Sequence, residues 1–192
     1  AQFREAYRVT ATLLAAAPND PQRLFAHAQS EFWLGYVDFL RDRNDAALTR
    51  FQSYQALAER LVQLRPANGA YWRELGYAQG NICTIALARK NPDRTLQSCK
   101  GALDTMKRVQ RLAPGDPAIA ADLANRHAWM ADALRLQGDD RAALVQREKQ
   151  DAILRSLLRR DPKNAGYLQD WMLARYSMSN LLYDLGETDR AK

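Results

Sequence analysis

Histidine and cysteine are almost absent. His27, His127, Cys83 and Cys99 are the whole supply among 192 residues. Two cysteines exclude a disulfide-dense scaffold, and their spacing is no zinc motif. Two histidines leave little material for a metal site or an acid–base centre. Glycine is sparse and nowhere gathered into a phosphate-cradling loop, and there is no nucleophile elbow. No motif calls for a cofactor. No apolar run approaches the roughly 18 residues of a membrane-spanning helix, so no membrane insertion is expected. No stretch alternates polar and apolar residues as a half-buried strand does. Charge of one sign does not dominate: 28 basic against 22 acidic side chains leave +6. That modest excess raises nucleic acid as a partner without establishing it. The N-terminal stretch AQFREAYRVTATLLAAAPND contains a signal-like LLAAA run. Arg4, Glu5 and Arg8 are spaced through it on a helical pattern, and it reads as a structural helix.

What the chain does have is a proline on a fixed beat. Pro18, Pro66, Pro114 and Pro162 stand 48 residues apart. A residue that cannot continue a helix, recurring at a constant interval, marks the joints of a repeat array. Cutting there gives full units at 18–65, 66–113 and 114–161, with partial units at 1–17 and 162–192. The chain is read as one repeat domain, and as a fragment of a longer protein because it starts and stops inside units.

Each unit reads as two helices. Asp20, Asn68, Asp116 and Asn164 follow the marker prolines and are N-cap residue types. Pro21 and Pro117 come next, at the first helical position, where a missing N–H costs nothing. Each first helix runs to a polar turn: DRND, KNPD, QGDD or LGETD. Asp45, Asp93, Asp140 and Asp189 then open the second helix as caps or first-turn anions. Small residues recur where the two helices of a hairpin cross: Gly35, Cys83, Ala131 and Ser179 on the first, Ala47, Thr95, Ala143 and Ala191 on the second. The fold class is all-α, an antiparallel helix-hairpin solenoid of about eight helices.

These residues resemble the tetratricopeptide repeat. Leu34-Gly35, Ala47, Phe51 and Pro66 fit its pattern in unit one, and Met130-Ala131, Gly138-Asp139, Ala143 and Pro162 fit it in unit three. Unit two keeps Ile82-Cys83 and Pro114 but has Thr95 and Cys99 where Ala and an aromatic are usual. The family unit is 34 residues, against 48 here, about two turns more on each helix. The pattern is similar to a long-helix bacterial variety, which DPKNAGYLQDW at 161–171 also resembles. Such arrays commonly accompany signalling or effector modules, so the resemblance implies protein binding rather than catalysis.

The resemblance also implies that first helices line an inner, concave face and second helices an outer one. Divided that way, the outer segments carry +8 and the remainder −2. Much of the outer excess, including Lys107, Arg108, Arg111, Arg155, Arg159 and Arg160, lies near helix C-termini, where cations complement the dipole. No aromatics interleave them, which disfavours nucleic acid. Carried over from the family, the exposed inner positions are Gln29, Phe32, Tyr36 and Phe39 in unit one and Tyr77, Thr84 and Leu87 in unit two. Unit three supplies Asn125, Asp132 and Arg135, and unit four Tyr176, Asn180 and Tyr183. The partner-binding set is Tyr36, Phe39, Tyr77, Asn125, Asp132, Arg135, Tyr176 and Asn180.

Trp33, Trp72, Trp129 and Trp171 are expected in the core, and the histidines at the surface or in hydrogen-bonded seams. The turn near Asn91 lies midway between Cys83 and Cys99, which places their sulfurs at similar height. Free core thiols are the expectation, with a disulfide as the alternative, because the chain reads as cytoplasmic. The expected function is a non-enzymatic scaffold that presents a groove to a peptide or partner domain. The alternatives are a ligand-sensing array attached to a signalling or transcription module, and nucleic-acid binding through the outer helices. Self-association through exposed terminal helices is also expected.

Overall fold

The computed structural model describes residues 2–191, which form nine helices and no strand. They are α1 (Gln2–Ala16), α2 (Pro21–Phe39), α3 (Asn44–Leu64), α4 (Gly69–Ala88), α5 (Pro92–Leu112), α6 (Pro117–Leu136), α7 (Asp140–Arg160), α8 (Ala165–Asp184) and α9 (Thr188–Ala191). Each helix packs chiefly on its chain neighbours, and α4 also touches α6, so the array is a helical repeat solenoid. Among the described residues no helix is long and apolar enough to cross a membrane.

Local chemistry sets the beat. First helices begin at 21, 69, 117 and 165, and second helices at 44, 92, 140 and 188. Asp20, Asn68, Asp116 and Asn164 each accept a hydrogen bond from a first-turn N–H, which satisfies donors that have no carbonyl partner in the helix. Of the two roles read for the second-helix aspartates, cap or first-turn anion, the structure shows the second. Asn91 and Asp139 cap α5 and α7, Arg43 precedes α3 without a side-chain cap, and Asp45, Asp93 and Asp140 are first-turn anions.

The turn inside each hairpin has a left-handed residue at the same beat: Asp42, Lys90, Gly138 and Gly186. Glycine adopts that conformation freely and aspartate tolerates it, whereas lysine gains nothing from its side chain there. Lys90 sits at φ 51°. Lys90→Gly is expected to stabilise the protein by about 1 kcal/mol, net of glycine's larger unfolded-state entropy. A rise in the urea midpoint at unchanged slope checks it; a fall would mean that Lys90 carries no strain.

One crossing is solved in three ways. Gly35, Cys83 and Ala131 on the first helices face Phe51, Cys99 and Arg147 on the second. The Phe51 ring fills the space beside Gly35, where an added Cβ would lie 2.8 Å from Phe51 Cε1. Arg147 reaches along the same line to Asp132 and donates to Gln150 at 2.8 Å. Cys83 and Cys99 are joined by a disulfide, with their Cα atoms 4.8 Å apart and both side chains fully buried. This corrects the free-thiol expectation: equal distances from the turn bring both sulfurs to the point where the helices come closest.

Candidate functional site

The first helices are tied to one another by a ladder of side-chain hydrogen bonds on one face. Gln29 on α2 donates from Nε2 to Glu74 Oε2 on α4 at 2.6 Å. One unit later, the Tyr77 hydroxyl on α4 donates to Asp122 Oδ2 on α6 at 2.8 Å. Both rungs join residues 45 apart, because the same two repeat positions are used. At the third junction those positions hold Asn125 and Asp170, which no hydrogen bond joins.

Each acidic rung is secured further. The Tyr54 hydroxyl from α3 donates to Glu74. Burial pushes the Glu74 carboxyl above its ordinary range, and the bonds from Tyr54 and Gln29 partly offset that. Burial also raises the Tyr54 hydroxyl, as does the Glu74 charge beside it. Asp122 accepts from Arg73 Nε at 3.0 Å and from Arg73 Nη2 at 2.8 Å. Tyr77, part-buried and bonded to Asp122, is pushed up to about 12.

Between the two rungs lies a cavity of about 360 Å³, walled by α2, α3, α4 and α6. Phe32, Tyr77 and Trp129 give it aromatic sides, Gln29 and Asn81 supply amides, and Arg126 supplies a guanidinium. Arg126 is only 4% exposed. It lies 4.2 Å from the Trp129 ring centroid and 5.9 Å from that of Tyr77. Gly80 makes the arrangement possible, since a Cβ there would come within 2.8 Å of Trp129 Cζ3 and 2.9 Å of Arg126 Cζ. Burial lowers the Arg126 pKa to about 10, which leaves the group charged at neutral pH.

Two of the larger clefts are chemically plainer. One of about 620 Å³ lies between α3, α4 and α5 and is lined by aliphatic side chains, amides and the arginines Arg89 and Arg94. Another of about 600 Å³, against α1, contains Arg43 and Arg50, which are already paired with Asp38 and Glu31.

The sequence-predicted residues do not converge on one site. Tyr77 lines the cavity. Tyr36 sits outside it, exposed and stacked on Phe32 at 6.0 Å. Phe39 packs against the buried cluster of Ala47 and Phe51 on α3, within its own hairpin, and Ile85 on α4. Asp132 binds Arg147 within its own hairpin, and Arg135 bridges to Asp184 on α8. Asn125 is half-buried in the ladder row. Tyr176, exposed, and Asn180, half-buried, lie on α8, away from the cavity.

Trp33 also departs from expectation. It is exposed and stacks on Phe3 of α1 with ring centroids 5.6 Å apart. The two histidines are seam residues. His27 Nδ1 lies 3.0 Å from the Thr10 hydroxyl, and His127 Nδ1 lies 2.8 Å from Gln146 Oε1. Burial lowers both their pKa values.

Sequence reasoning missed Arg126, Glu74, Asp122 and Trp129. For Arg126 a signal existed. Its repeat position holds Ser30, Ala78 and Ala174 in the other units, so a large cation stands where small residues pack.

No protein-family model and no curated protein matches the chain. Among solved structures, a de novo designed helical repeat protein aligns at 10% identity over 98% of this chain and 95% of that chain, with a TM-score of 0.40.

Proposed function

We propose that this array is a non-catalytic, tetratricopeptide-like interaction scaffold that receives a peptide or partner segment on its first-helix face. The observation that carries this reading is the aromatic- and amide-lined cavity crossing α2, α4 and α6. Rings offer large contact area at low entropic cost, and amides hydrogen-bond a peptide backbone. The ladder beneath holds three successive first helices in register, so the surface is organised before a partner arrives.

The second helices support a structural role for the basic excess rather than a nucleic-acid footprint. Arg108 lies 3.9 Å over the Trp72 ring, Arg155 pairs with Asp151 at 2.9 Å, and Arg160 donates to the Gly115 carbonyl at 3.1 Å. The expectation of reduced thiols followed from the cytoplasmic reading. The buried Cys83–Cys99 disulfide instead favours a compartment that oxidises thiols.

Selection of displayed random heptapeptides on the immobilised protein tests the scaffold reading. Enriched peptides should bind the wild type at least about tenfold more tightly than Asn81→Arg, which places a bulky cation in the cavity wall. Failure to enrich any sequence, or equal binding to both proteins, would count against it.

A further inference from the structure

Four charged side chains other than histidine are buried: Glu31, Arg126, Arg147 and Asp151. Three have strong partners. Glu31 accepts from Arg50 at 3.0 Å, Arg147 reaches both Asp132 and Gln150, and Asp151 accepts from Arg155 and from Trp171 Nε1, each at 2.9 Å. Arg126 differs. Its Nε–H has no acceptor among the described residues, and its Nη2 makes one long bond, 3.4 Å, to the Gly76 carbonyl. It forms no ion pair with any carboxylate among them. The rings of Trp129 and Tyr77 lie beside the guanidinium, 4.2 and 5.9 Å from Cζ, and its N–H groups donate to neither residue.

The neighbouring carboxylates do not meet that need. Asp122 already takes two bonds from Arg73 and one from Tyr77, and Glu74 takes Tyr54 and Gln29. Asp122 favours the Arg126 charge only through space, and of the charged groups in the cavity lining Arg126 alone has a buried polar atom with no hydrogen-bond partner. An uncompensated buried cation is costly to the fold unless something pairs with it.

We infer that the cavity binds a carboxylate, at the end or on a side chain of a bound peptide, with its oxygens facing Arg126 and its adjoining apolar group against Phe32, Tyr77 and Trp129. This rests on the peptide-binding reading above. A carboxylate matches the guanidinium fork with two acceptors. Glu74 and Asp122 in the same walls would repel a dianion, so the site selects a singly charged group over phosphate.

The test uses two matched pairs of acetylated tetrapeptides on protein with ¹⁵N-labelled tryptophans. One pair is trialanyl-phenylalanine as free acid and as amide. The other is alanyl-phenylalanyl-glutamyl-alanine amide and its glutaminyl isostere. The indole signal of Trp129 is assigned with Trp129→Phe. The acid member of at least one pair should shift that signal, with its neutral partner at least about tenfold weaker. The pair that discriminates identifies the source as chain end or side chain. Arg126→Met should abolish the difference without lowering the melting midpoint, since an apolar replacement relieves an unpaired charge.

Acid and amide forms that bind alike would overturn the carboxylate and leave the peptide reading intact. So would inorganic phosphate shifting Trp129 as strongly as the acids. No shift of Trp129 by any of the four peptides also sinks the carboxylate inference, and the display selection then decides the peptide reading alone. The acid-against-amide comparison runs on wild-type protein and does not depend on the variant folding.

Discussion

Cys83→Ala/Cys99→Ala is expected to lower stability by about 3 kcal/mol, on the chain-entropy account for closing a loop of about 15 residues. The bridge spans a sequence separation of 16 and joins α4 to α5 at their crossing. For a chain of this size the loss corresponds to a fall of roughly 6–12 °C in melting midpoint. Matched melts of wild type and the double variant check it. The sulfurs are fully buried and packed with Ala133, Leu87, Leu96, Trp129 and Met130. Reductant without denaturant should therefore act slowly, and alkylation of the folded, unreduced protein should label neither cysteine. Two free thiols titrating in denatured, unreduced protein would end the disulfide account and restore the reduced reading. Because Trp129 touches both the bridge cluster and the cavity, the double variant should also move the Trp129 indole signal.

Phe51→Ala should cost about 3–5 kcal/mol, the range for removing a large aromatic from a core that cannot collapse. Phe51 is 2% exposed and fills the volume that Gly35 leaves open. Its neighbours cannot close the gap without dragging one helix of the hairpin toward the other. The converse change makes the same point, since Gly35→Ala would set a methyl within 2.9 Å of the Phe51 ring and should cost about 1–3 kcal/mol by overpacking. In an array whose units contact mainly their neighbours, the damage should stay local. Hydrogen exchange should accelerate in α2, α3 and α4 while α6 and α7 remain protected. Uniform acceleration along the whole chain would show instead that the array unfolds as one cooperative body.

The hairpin crossing shows where sequence reading succeeds. Gly35, Cys83 and Ala131 were legible as close-approach positions because a small residue recurs at a fixed distance from each turn. Of their partners only Cys99 was read as facing its first-helix residue; the sequence reading set Ala47, Thr95 and Ala143 at the crossing, and the structure puts Phe51 against Gly35. Whether two cysteines at such a point are bonded was not legible. The answer depends on a separation of a few ångströms between helices, which spacing along the chain does not determine.

The candidate site was harder. Gln29, Phe32 and Tyr77 were identified because they follow the repeat register of an inner face. Phe39, Asp132 and Arg135 share that register but are taken up by Phe51, Arg147 and Asp184, partners that lie on other helices. Arg126 was visible only as an odd residue at a position of small ones. Nothing in the sequence says that its Nε–H goes without an acceptor.

The chain by itself determined the hairpins. Caps at Asp20, Asn68, Asp116 and Asn164, prolines at the joints and left-handed turns on the same beat act within a few residues of where they stand, so their effect does not depend on the rest of the molecule. Tertiary structure alone decided which side chains meet across a 45-residue step, and which charge is left without a partner. Those outcomes follow from how each hairpin is rotated on the next, a geometry set by packing many side chains at once.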